Sequence, residues 1–118
     1  MRVPGAGVVL IFLTLGGVVA AAQPAPPPLS ASVNDFAGVI DEASERELDR
    51  RLQALRRASG DVVAVATVPT FQPYADVKEY AVKMFENQGR GIGERGKDNG
   101  LLIVVAVAVA SFALVHAV

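Results

Sequence analysis

Two short polar sets could do chemistry in this 118-residue chain: Asn34-Asp35, and Lys97-Asp98-Asn99-Gly100 running into Leu101 and the apolar residues beyond it. Carboxylate and amide oxygens are the donors that hard divalent cations prefer. A polar turn feeding a buried strand is also a place where an α/β protein can hold a metal ion or a phosphate. The plain alternative is structural. Asx side chains bond back to their own backbone and glycine accepts positive φ, so a tight turn accounts for either set without a ligand.

The chemistry on offer narrows quickly. The chain has no cysteine, so neither a disulfide framework nor a thiolate metal site can form. Its one histidine, His116, lies near the end in an apolar tail where no Ser/His/Asp set can be placed. The formal charge of −1 becomes −2 once Arg2 is removed with residues 1–22, and no basic stripe interleaves with aromatics. Nucleic acid is not an expected partner.

The elements that must position the polar sets are readable from pattern. Residues 1–22 have the form of a cleaved export signal: Arg2, an apolar run from Gly7 to Val19, then Ala20-Ala21-Ala22. Residues 23–32, with four prolines in a five-residue stretch, form a semi-rigid linker. A first helix follows. Asp41 is its N-cap, with Ser44 and Glu47 a competing capping box. Leu48, Leu52 and Leu55 share a face, Glu42–Arg46 and Glu47–Arg51 are i,i+4 pairs, and Gly60 is the stop. Residues 61–68 are β-branched and almost continuously apolar, as a strand covered on both sides would be. Asp76 then caps a second helix whose face is Val77, Tyr80, Ala81, Met84 and Phe85, so Tyr80 and Phe85 are expected in the core.

Residues 89–97 are glycine-rich and basic, with Arg90 and Arg95 among the glycines. A nucleotide fingerprint fails on context: the loop follows a helix and precedes a strand, and no GKS/T is present. No nucleotide cofactor is expected. Strand, helix, loop and strand over 61–107 make one βαβ unit with parallel strands.

Taken together, Val33-Asn34-Asp35 with Ala37-Gly38-Val39-Ile40, Tyr80-Ala81, Met84-Phe85-Glu86, Gly91-Ile92-Gly93 and Lys97-Asp98-Asn99-Gly100-Leu101-Leu102-Ile103-Val104 resemble the TPM domain family. That family includes thylakoid lumen phosphatase-like, photosystem II repair and YgcG-type bacterial proteins. The resemblance implies a Rossmann-like three-layer α/β sandwich with a βαβ core. It also implies an extracytoplasmic domain, usually tethered to a membrane; with the export signal, the expected location is the periplasm or the extracytoplasmic envelope face, reached by the secretory route. Members act as weak acid phosphatases, some with calcium, or as accessory factors with envelope or membrane protein partners. Carried over by residue, Asp35 and Asp98 are the catalytic candidates, and Asp35, Asp98 and Asn99 the ligands for Ca2+ or another divalent ion.

The resemblance spans about residues 33–107 and leaves 108–118 as an apolar tail, so the sheet is expected to be incomplete. Three readings of function stand: an envelope accessory or binding module, a metal-assisted phosphomonoesterase, and a truncated fragment. Residues 101–118 have two readings as well, a strand plus tail or a membrane-associating span at the lower length limit.

Overall fold

The structure is a computed structural model that describes Gly5, residues 24–109 and residues 111–117. Apart from Gly5, the export signal expected over residues 1–22 lies outside the described residues.

Four strands form one sheet in the order β1 (Val33–Asp35), β2 (Val62–Val68), β3 (Gly100–Ala106) and β4 (Ser111–His116). The first three run parallel and β4 returns antiparallel to β3. Helix α1 (Glu42–Ser59) links β1 to β2, and α2 (Val77–Glu86) links β2 to β3. The parallel β2–β3 pair with α2 between is the expected βαβ unit.

Residues 111–116 depart from expectation. Instead of an apolar tail or part of a membrane span, they supply β4, in which Leu102 faces Val115 and Val105 faces Phe112. A 3-10 turn at Val107–Val109 breaks the apolar run after β3 and lets the chain reverse. No described helix is long and apolar enough to cross a membrane.

Both helices start and stop where local chemistry dictates. The Asp41 carboxylate accepts from the Ser44 amide at 2.9 Å and the Ser44 hydroxyl at 2.6 Å, so Asp41 prevails over the competing box. At the far end Gly60 adopts φ 83° and donates its N–H to the Arg56 carbonyl at 2.8 Å. Asp76 caps α2 by accepting from the Glu79 amide at 2.8 Å. The Glu42–Arg46 and Glu47–Arg51 pairs form at 2.6 and 2.8 Å on the solvent side of α1.

The two faces of the sheet are unequally covered. On one face Ala64, Ala66, Val68, Leu102, Val104, Ala106 and Ala113 pack against Tyr80, Ala81 and Met84 of α2, as that helix's spacing predicts. Tyr74 joins them, its ring meeting Tyr80 edge-on at 5.3 Å between centroids. The Pro-rich segment, expected to stand off as a spacer, lies on the domain over residues 24–29. Pro26 is buried, Leu29 packs on the core, and the Tyr74 hydroxyl donates to the Pro24 carbonyl at 3.2 Å.

On the other face α1 covers β1 and β2, where Val33, Val63 and Thr67 are buried. Beyond it Leu101, Ile103 and Val105 of β3 are half-buried, and Phe112 and Leu114 of β4 are exposed. Across the sheet, Val33, Val65, Ile103 and Leu114 form one rung, running from buried at β1 to exposed at β4. The result is a three-layer α/β arrangement whose second helix layer covers half a face.

Candidate functional site

Asp35 closes β1, and three donors around it bond to its carboxylate. Oδ1 accepts from the Val39 amide at 3.0 Å and from the Thr67 hydroxyl at 2.5 Å, and Oδ2 accepts from the Ile40 amide at 3.0 Å. The Asp35 carbonyl also accepts from the Gly38 amide at 3.2 Å, closing a turn that Gly38 permits with φ 66°. Thr67 returns the favour by accepting the Ala37 amide at 3.2 Å. The Thr67 hydroxyl, followed by the Ile40 amide, holds the Asp35 pKa below its ordinary value of 3.8, against a smaller upward pull from burial. The loop after Asn34-Asp35 is a backbone turn that the Asp35 carboxylate braces from the Val39 and Ile40 amides, four and five residues on. Asn34 is also satisfied: its amide donates to the Ala31 and Val65 carbonyls at 2.7 and 3.2 Å, and its oxygen accepts the Ser30 and Ala31 amides.

The second set lies elsewhere. Asn99 precedes β3, and its side chain ties three segments together. Its oxygen accepts from the Glu94 amide at 2.8 Å, its amide donates to the Gly60 carbonyl at 2.9 Å, and its own carbonyl accepts from the Val62 amide at 2.8 Å. Asp98, exposed at φ 48°, forms the preceding corner. The glycines here have contact reasons. A Cβ on Gly100 would stand 2.1 Å from the Ile92 carbonyl oxygen, and one on Gly93 would stand 2.6 Å from the Asn99 side-chain oxygen.

Parallel registration separates the two sets. Asp35 faces Thr67, which faces Val105 at the carboxyl end of β3, whereas Val62 faces Gly100 at its amino end. Asn99 is therefore six strand residues below the level of Asp35, about 20 Å at 3.3 Å per residue. Asp35, Asp98 and Asn99 do not fit one shared cation in this chain. Each side-chain oxygen of Asp35 and Asn99 already accepts at least one hydrogen bond. No described group of three or more His, Asp or Glu residues is arranged to hold a metal ion.

In open α/β sheets ligands bind outside the carboxyl ends of the strands, and that end of this molecule is distinctive. Its loops expose Phe36 (38%), Val39 (56%) and Val107 (39%) above the Asp35–Thr67 pair. Neither Thr67 nor this apolar rim is marked out by the sequence pattern. The one available signal is that Thr67 is the only polar residue of β2. A broad cleft along α2, about 610 Å³, is lined by Tyr74, Val82 and charged residues, of which Lys83 and Glu86 pair with each other at 2.8 Å.

Comparison with known proteins follows the same outline. The sequence profile of the TPM domain matches residues 33–116. The chain belongs to the TPM domain family. The match runs nine residues past the resemblance read from sequence and takes in β4. Among solved structures, this TPM domain is similar to the N-terminal domain of a protein from P. gingivalis determined by solution NMR, with 27% identity and a TM-score of 0.62. The similarity covers 72% of this chain and 52% of that one, so the TPM chain spans about half the length of its solved relative. No protein of curated function matches it.

Proposed function

We propose that this chain is an exported TPM domain acting as a binding or accessory module of the cell envelope, with the carboxyl end of its sheet as the contact surface. The observation that supports this most is the state of Asp35. Both its oxygens are engaged by Val39, Ile40 and Thr67, so it shapes the loop above the sheet instead of offering a free base or ligand. That loop presents Phe36 and Val39 to solvent, and the turn after β3, at the same end of the sheet, presents Val107. An apolar rim on a rigid scaffold suits a protein partner of the envelope with an apolar surface of its own.

The test is hydrolysis of p-nitrophenyl phosphate by the purified chain, with and without millimolar calcium, set beside the Asp98→Asn and Asp35→Asn variants. The expected result is no turnover that depends on Asp98 or on calcium. Calcium-dependent turnover that Asp98→Asn abolishes would establish the phosphomonoesterase reading and overturn this one.

A further inference from the structure

The outer edge of β4 carries an ordered set of backbone groups with nothing described beyond it. Ala117 donates its N–H to the Gly100 carbonyl at 3.0 Å, and the register of the pair sets those two residues opposite each other. Hydrogen-bonded and non-hydrogen-bonded positions alternate along an antiparallel pair. Val115, Ala113 and Ser111 therefore turn their backbone groups toward β3, while Phe112, Leu114 and His116 turn theirs outward.

No described strand pairs with this edge, and the strand carries none of the residues that usually guard one. Its sequence, Ser-Phe-Ala-Leu-Val-His, holds no Lys, Arg, Asp, Glu, Pro or Gly. Phe112 and Leu114 are 69% and 57% exposed on the half-face beyond α1.

We infer that β4 pairs antiparallel with β4 of a second copy of this chain, about a two-fold axis at Leu114, joining the two sheets into one. The register follows from the alternation. Outward-facing residues must meet outward-facing residues, and only centring on Leu114 gives all three a partner: Leu114 faces its own copy, and Phe112 faces His116 of the other chain. Centring on Ala113 would leave His116 opposite residue 110, beyond the strand. Opposed residues in an antiparallel pair put their side chains on the same face, so the exposed Leu114 and Phe112 side chains of both copies form one apolar row. No like charges meet across the axis, and the contact is isologous and closed.

Because the chain has no cysteine, a single introduced thiol reports the register. Opposed hydrogen-bonded residues lie about 5.5 Å apart between Cα atoms, within the span of a disulfide. Leu114→Cys is expected to give a covalent dimer under mild oxidation. Phe112→Cys is expected not to, because the two copies of that position stand four residues apart, about 14 Å. Sedimentation equilibrium supplies the second arm. Leu114→Lys and Leu114→Glu should each be monomeric, with unchanged circular dichroism, and a one-to-one mixture should recover dimers. The proposal is overturned by a monomeric wild-type chain, as when another segment or another protein covers β4. Equal cross-linking at both positions, or association that grows without closing, would overturn it too.

Discussion

At the residue scale, the family's signature positions are explained by what they hold together. Asp35 replaces three missing partners at once, those of Val39, Ile40 and Thr67, so Asp35→Ala should lower the melting temperature by roughly 5 °C, a cap-sized loss in a domain this small. The pH dependence has a fixed sign. The folded pKa of Asp35 lies below 3.8, so the unfolded chain takes up the proton first as pH falls. The stabilisation is complete above the ordinary aspartate value and disappears as pH drops through the lowered one. Acid unfolding curves should show this contribution for the wild type and not for Asp35→Asn. Gly100→Ala should cost about 3 kcal/mol or more, because the Ile92 carbonyl occupies the space its Cβ needs. The caps at Asp41, Gly60 and Asp76 are legible in sequence because each acts within a few residues of itself. The Asp35–Thr67 bond is not legible, because its partners are 32 residues apart and meet only through strand register.

At the element scale, the helices contribute unequally. Helix α2 buries Tyr80, Ala81 and Met84, whereas α1 has no fully buried residue and holds its shape through its caps and ion pairs. Met84→Ala should therefore destabilise by about 2–5 kcal/mol, and Leu55→Ala, on the exposed flank of α1, by less than about 1 kcal/mol in denaturant titrations. Amide hydrogen exchange should be faster through α1 than through β3. The periodicity of α2 gives its buried face correctly because one face meets a full layer of strand residues. The same pattern on α1 overstates burial, because that helix spans only β1 and β2. The strand at Val33–Asp35 is too short to show an alternation, and β4 is hidden within a continuous apolar run that only the turn at Val107–Val109 divides.

At the scale of the whole molecule, β4 changes the character of the chain. It gives β3 a neighbour on its far side and places Ala113 under α2, so the fold has a sheet wide enough to carry both helices. Ala113→Asp, which buries a charge against α2, should unfold the domain, while Leu114→Thr should leave the stability of the monomer within about 1 kcal/mol. The same parallel order that closes the sheet sends Asp35 to one end and Asp98-Asn99 to the other. Spacing along the chain carries no trace of that separation, because a polar residue bordering a parallel strand can stand at either end of it, and Asp35 closes β1 while Asp98 precedes β3. Their separation is central to reading this domain as a binding module, and Ca2+ titration followed by amide chemical shifts tests it most directly. Shifts from a diamagnetic ion are largest at its ligands and their immediate neighbours, so one ion moves both sets along one isotherm only if they adjoin. The expected result is that no addition near one ion per chain moves the amides of Asp35, Val39 and Ile40 together with those of Asp98 and Asn99. Joint movement of the two sets at that stoichiometry would contradict it, and would place a shared metal site where the sheet now separates them.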